Sequence, residues 1–254
     1  MLPEIHIGPL DLQTFGITLA LGFVAAFALV ERRLRELGRP PEWAYEAGFA
    51  ALVGGLIGSR VYFLIENWDE VKGDSFSDVF SGSGLVWFGG LLGGAIAVCL
   101  WAWRRGFLNL QLLDMAGPAL AIGQAVGRVG CQLSGDGDYG IASNLPWAMS
   151  YPDGTVPTTQ EVHPTPVYES LTLGIIAVVL WRLRDRVRPG TLFALYLMLA
   201  GAERFLVEFV RRNDEVLLGL TQPQLLSIVM MAGGAIMLWA LSRRAEPAPA
   251  GARA

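Results

Sequence analysis

The sequence predicts an all-α integral membrane protein of seven transmembrane helices, with its N-terminus outside, its C-terminus cytoplasmic and an ordered external loop region. Three observations predict it. The chain has 254 residues, of which 53% are hydrophobic and only 17% charged, less charge than a soluble domain of this size carries on its surface. Apolar runs near the ~20 residues needed to cross a bilayer recur along the whole length. Basic residues fall in alternate loops, as the positive-inside rule requires.

Seven runs qualify, at about Gln13–Val30, Trp43–Ile65, Leu85–Trp103, Gln111–Gly130, Pro166–Leu183, Thr191–Val210 and Gln222–Leu241. The arginine-rich stretches ERRLRELGR, WRR, WRLRDRVR and SRR follow the first, third, fifth and seventh runs. ENWDEVKGDSFSDVFSGSG, between the second and third, carries one lysine and several acids, and residues 131–165 carry no Lys or Arg. This alternation fixes the orientation. The N-terminal MLPEIHIGPLDLQ lacks the basic region of a cleaved signal peptide, so the first run is expected to be retained. Residues 1–242 read as a single membrane domain with an external cap loop at about 131–165. Residues 243–254, rich in Ala and Pro, read as a disordered cytoplasmic tail.

The cysteines, Cys99 and Cys131, form no disulfide framework or metal motif. No metal or organic cofactor is expected, and nothing points to nucleic acid. The polar residues inside the spans carry more information. An arginine within a bilayer costs at least ~2.5 kcal/mol, so it faces protein or a wet cavity. Arg60, Arg128 and Arg204 all fall in the outer halves of spans that run outward. Lys72, Arg211 and Arg212 fall in or near external loops. Arg204, Glu208 and Arg211 share one helix face by their i, i+4, i+7 spacing. HPTPVYES brings His163, Tyr168 and Glu169 to the same level, and Asp136 and Asp138 follow the fourth span. Arginines gathered there suit a lipid phosphate. The plainer reading of Arg128 is a partner for Asp136 or Asp138, and that of Cys131 a small packing residue. Small-xxx-small glycine pairs in VGGLIGSR, FGGLLGG and AIGQAVGR allow close helix packing.

GGLIGSRVYF, WFGGLLGG, MAGPALAIGQAVGRVG, HPTPVYES, GAERFLVEFVRRND and TQPQLLS occur in that order. Together they resemble the prolipoprotein diacylglyceryl transferase family, over nearly the whole chain. The resemblance implies a multi-pass protein of the bacterial plasma (inner) membrane with its active site facing the outer leaflet. It implies transfer of the diacylglyceryl group of phosphatidylglycerol to the lipobox cysteine thiol of a preprolipoprotein signal peptide, without cofactor. Arg128, in GRVG, matches the signature arginine and is expected to hold the phosphate, with Gly127, Gly130 and Gly140 framing it. Arg204 and Glu208 match the sixth-span arginine and glutamate, Arg60 the second-span arginine, and His163 and Tyr168 the HPxxxYE element. Membrane lipid, phosphatidylglycerol and the signal peptide are the expected partners.

The contents of the signature differ. Cys131 and Ser134 stand at its asparagine positions, Gln132 at its phenylalanine and Asp136 at its glutamate. Phe88 stands where the family has a histidine before the double glycine, and Phe15 where it has a tyrosine. Asp136, Asp138, Glu208 or His163 is then the expected proton acceptor. The alternatives are a catalytically altered or inactive member that binds anionic phospholipid, or a small-solute transporter.

Overall fold

The computed structural model describes residues 1–8, 10–68 and 87–243, apart from the side chains of Ile7, Leu10, Trp87 and Phe88. Lys72, the 244–254 tail and the side chain of Phe88 thus lie outside the described residues. Seven α-helices occur among the described residues: α1 Thr14–Glu36, α2 Trp43–Glu66, α3 Trp87–Arg104, α4 Leu110–Ser134, α5 Thr165–Leu183, α6 Thr191–Val207 and α7 Gln222–Arg243. By length and composition α1, α2, α5 and α7 are apolar enough to cross a membrane. The apolar Gly89–Arg104 part of α3 is shorter. α4 carries Asp114, Gln124, Arg128 and Gln132, and α6 has 17 residues.

The helix ends follow from local chemistry. Asn109 opens α4, its Oδ1 accepting from the backbone N–H of Gln111 at 3.0 Å and Leu112 at 3.2 Å. α5 opens with Pro166 in its first turn, where a missing N–H costs nothing. α6 begins after Gly190 at φ +93°, and its first N–H groups find a carboxylate from another helix. Asp114 on α4 accepts from Gly190 N at 2.6 Å and Phe193 N at 3.1 Å. Thr221 and Gln224 exchange side-chain-to-backbone hydrogen bonds before α7, the reciprocal capping box that T-x-x-Q permits.

Three two-stranded antiparallel hairpins modify the all-α expectation. β1 (Glu4–Ile7) pairs with β2 (Leu10–Gln13), β3 (Met149–Tyr151) with β4 (Thr158–Val162), and β5 (Glu215–Leu217) with β6 (Leu220–Thr221). They are too short to give an alternating sequence pattern. In the last, Leu218 takes φ +55° beside Gly219 at +73°, as a two-residue hairpin turn of the I′ type demands. A second difference concerns α6. It ends at Val207, and Glu208–Val210 continue as a 3-10 turn rather than as α-helix.

The chain forms two compact units. In the first, Met1–Val30 with Leu113–Ala254, the core is Ala121 and Ala125 of α4, Leu173, Ile176 and Leu180 of α5, and Leu192, Tyr196 and Ala200 of α6. Gln124 Nε2 donates to Tyr196 Oη at 2.6 Å across that core. Tyr139 and Tyr151 stack at 4.8 Å over Val162 between α4 and α5. Tyr151 is fully buried. Burial pushes its phenol above the usual tyrosine range, against the pull of its hydrogen bond to Gln132.

The second unit is Glu31–Leu112. Here α2 and α3 touch backbone to backbone. A Cβ on Gly58 would lie 2.7 Å from Gly93 Cα, and one on Gly54 2.6 Å from the Gly93 carbonyl. Trp101 Nε1 and Arg105 Nη2 close the crossing on Glu46 at 2.8 and 2.6 Å. Elsewhere on α2, Phe49, Leu56, Ile57 and Ile65 are exposed, and only Ala44 and Ser59 of the helix are buried. An apolar surface this extensive is what lipid covers. Gly58→Leu is expected to lower the stability of this unit by at least ~1–3 kcal/mol, because backbone on the facing helix cannot yield. Thermal unfolding in detergent, compared with Gly233→Leu where no atom lies within 4 Å of an added Cβ, measures it.

Candidate active site

Four segments of the first unit converge on one carboxylate. Glu169 stands in the second turn of α5 and is 1% exposed. Its Oε1 accepts from Arg204 Nη1 at 2.6 Å, and its Oε2 lies 3.1 Å from Arg128 Nε and 3.4 Å from Arg211 Nη1. Arg128 comes from the last two turns of α4, Arg204 from the last turn of α6, and Arg211 from the extended residue after the 3-10 turn.

Two further carboxylates complete the cluster. Asp138, in the loop after α4, bridges Arg128 and Arg211, the latter at 2.5 Å. Burial alone would push the Asp138 carboxyl up, but the charges of Arg211 and Arg128 outweigh it and hold it below the usual carboxylate range. Glu208 pairs with Arg204 at 2.8 Å and faces Arg211 Nε at 3.8 Å. Asn213 and Thr221 also donate to Glu208 Oε1, at 2.5 and 2.9 Å. Three guanidiniums thus meet three carboxylates. The cluster is balanced in charge, yet a guanidinium has five N–H donors, and Arg128 Nη2 makes no hydrogen bond or ion pair to a described residue. The remaining donors suit a phosphate.

The sequence-predicted residues divide by position. Arg128, Arg204 and Glu208 meet in the cluster, and Arg211 joins them despite the early end of α6. Asp136 lies beside it, accepting from the Asp138 N–H at 3.2 Å. Donor atoms of Cys131, Asp136 and Asp138 lie within 4.8 Å of one another, but a cation there would compete with the two guanidiniums on Asp138. His163 and Tyr168 form a separate chain. Trp147 Nε1 donates to Tyr168 Oη at 2.7 Å, and the Tyr168 hydroxyl shares a hydrogen bond with His163 Nδ1 at 3.3 Å. Neither His163 nor Tyr168 bonds to the arginines. Arg60 belongs to the other unit, its guanidinium 5.0 Å over the Phe63 ring.

The three glycines also separate. Open space lies beside Gly127. A Cβ on Gly130 would strike Thr18, and one on Gly140 would strike the Val210 carbonyl and lie 3.0 Å from His163 Cβ. Gly130 and Gly140 are therefore needed for packing. The sequence groups Glu169 with His163 and Tyr168 but does not set it at the centre of the arginines. The available signal was that Glu169 is the one acid in the apolar run of α5.

Glu169→Gln leaves guanidiniums buried without their shared counter-charge. It is expected to cost ~3–5 kcal/mol in stability, against less than ~0.5 kcal/mol for the exposed Glu161→Gln. Chemical or thermal unfolding measures both. Asp138 adds a pH dependence. Its folded-state pKa is depressed, so its stabilisation is present above the unfolded value, ~4, and is lost as pH falls below that through the folded value. Asp138→Asn is expected to flatten the acid side of a plot of melting temperature against pH.

The family model of prolipoprotein diacylglyceryl transferase matches residues 4–240. A phosphatidylglycerol–prolipoprotein diacylglyceryl transferase of Chromohalobacter salexigens is 35% identical over 252 residues, 94% of this chain and 91% of that protein. One of Dehalococcoides mccartyi is 34% identical over 234 residues, 89% of this chain and 88% of its own. One of Gloeobacter violaceus is 30% identical over 250 residues, 94% and 92% of the two chains. The match runs from β1 to the last turns of α7 and takes in the whole arginine cluster, and the chain belongs to the prolipoprotein diacylglyceryl transferase family.

Proposed function

We propose that this chain transfers the diacylglyceryl group of phosphatidylglycerol to the lipobox cysteine thiol of a preprolipoprotein signal peptide, at the outer leaflet of the bacterial plasma membrane. The observation that carries the reading is the convergence of Arg128, Arg204 and Arg211 on Glu169 in a protein with an apolar exterior. Family membership supplies the reaction class. The alternating basic loops support seven spans with the N-terminus outside and the C-terminus cytoplasmic.

The chemistry follows from the cluster. The thiolate sulfur attacks the glyceryl carbon, the carbon–oxygen bond to phosphate breaks, and glycerol 1-phosphate leaves with the electron pair. The new bond is a thioether. Negative charge grows on the phosphate as the bond breaks, and fixed guanidiniums stabilise that growth without reorganising. Arg128 is the chief phosphate ligand in this reading, because its Nη2 is unspent. Arg204 holds the phosphate from the opposite helix, and Glu208 fixes Arg204. Asp136 and the Trp147–Tyr168–His163 chain flank the site and position the peptide. Gly127 and, in the other unit, Arg60 are further lipid-binding residues in this reading. No nucleic acid takes part.

The second reading, anionic-lipid binding without turnover, is favoured by one sequence observation: Phe88 at the position of the family histidine. One assay separates the two. The purified protein, phosphatidylglycerol and a lipobox peptide are expected to yield a peptide heavier by one diacylglyceryl group in mass spectrometry. Lipid binding with no heavier peptide, restored in Phe88→His, supports the second reading instead. Arg128→Ala is expected to lower kcat/KM by about 10²–10³-fold. Arg128→Lys is expected to recover little of it, since an ammonium lacks the planar fork.

A further inference from the structure

Glu203 precedes Arg204 on α6 and is 7% exposed. It makes no hydrogen bond and no ion pair to any described residue, and its Oε1 is buried without a partner. The other carboxylates of the cluster are spent. Glu169 holds three arginines and Asp138 two. Glu208 Oε1 accepts from Asn213 and Thr221, and its Oε2, which like Glu203 Oε1 makes no hydrogen bond, differs in being ion-paired with Arg204 and Arg211.

A buried carboxyl oxygen without a partner costs more than a hydrogen bond gains, so it marks a place where a partner is missing. The charged groups around it come from each neighbouring element. Glu169 of α5, Arg128 of α4, Arg211 and the adjacent Arg204 are all within Coulombic reach. Tyr196, two turns earlier on the same helix face, is the nearby phenol, and its oxygen is occupied by Gln124. Helix α7 packs along α6 through Gly201 and Gly234 and offers no titratable side chain from Gln222 to Ser242. Glu203 therefore stands beside the phosphate-binding guanidiniums without being neutralised by a direct pair.

We infer that Glu203 is the proton acceptor for the attacking thiol, resting on the transferase reading above. Its Oε1 takes the S–H proton as the sulfur electron pair forms the bond to the glyceryl carbon. The electrons of the breaking carbon–oxygen bond leave on the phosphate. The proton then passes from Glu203 to the departing phosphate, which restores the carboxylate. A carboxylate clamped by two or three guanidiniums is a poor base, because each pair favours its charged form. Glu203 is not clamped, and proton transfer by a positioned carboxylate contributes about 10²–10⁴-fold.

The test uses the full chain with phosphatidylglycerol in mixed micelles and a lipobox peptide, with kcat/KM followed from about pH 5 to about pH 9. Glu203→Gln is expected to lose about 10²–10⁴-fold in kcat/KM and the acid limb of the profile, with phosphatidylglycerol binding unchanged. A peptide with selenocysteine in place of the lipobox cysteine, whose selenol ionises unaided, is expected to recover most of that loss. Glu203→Asp, which keeps a carboxylate, is expected to be slower but to retain the acid limb. Wild-type rates in Glu203→Gln overturn the inference alone. So does an equal loss with the selenocysteine peptide, which marks a structural role, or a lost acid limb in Glu203→Asp. A wild-type chain that makes no product overturns this inference and the transferase reading together.

Discussion

The burial of Glu169 under three guanidiniums is the constraint on which the first unit depends. Removing a carboxylate from water is costly, and the cost is met only when charge-assisted hydrogen bonds replace the lost hydration. Meeting it requires the C-terminal ends of α4 and α6, the N-terminal end of α5 and the segment after α6 to arrive at one point. Each arginine faces the same demand from its own side. The helix starts serve this convergence at the opposite end of the bundle. Asp114 fixes the first turn of α6 onto α4, so the last turn delivers Arg204 at a defined height. Thr221 then links the start of α7 to Glu208.

Balanced charge gives the cluster a particular way of receiving an anion. A set of bare arginines would bind phosphate tightly and release it slowly. Here each guanidinium already has carboxylate partners, so in the proposed reading a phosphate would take up spare N–H donors or compete with Asp138, which is the most exposed of the three acids. The gain on binding is the difference between two good arrangements. Catalysis asks for that: contacts that improve as charge moves onto the leaving phosphate raise kcat, whereas uniformly tight binding does not.

Much of this was legible in the sequence, and the rest was hidden for physical reasons. The helices were written in apolar length, and their expected limits fall within four residues of those found, except that α1 runs six residues past Val30. Arg128, Arg204 and Glu208 stood out because charge in an apolar run is expensive. The pairing of Arg128 with Asp138 was one of the two plain possibilities, and geometry chose between Asp136 and Asp138. Periodicity cannot reveal that a glutamate on one helix is shared by arginines from three other segments, so Glu169 remained one acid among several. Nor does spacing distinguish a glycine that leaves room for a ligand from one that leaves room for backbone. Gly140 leaves room for the Val210 carbonyl and Gly130 for the Thr18 side chain, Gly127 stands open, and all three look alike in sequence. The hairpins escaped notice because two to five residues carry no alternation.

The contact between α2 and α3 sets how the second unit can deform. Helices separated by side chains slide and roll as rotamers exchange. Where Gly54, Gly58 and Gly89 bring main chain against main chain, no rotamer is available to exchange. Glu46 locks the same crossing through Trp101 and Arg105. The pair behaves as one stiff strut, so mechanical strain arriving at either helix is passed along its length rather than absorbed within it.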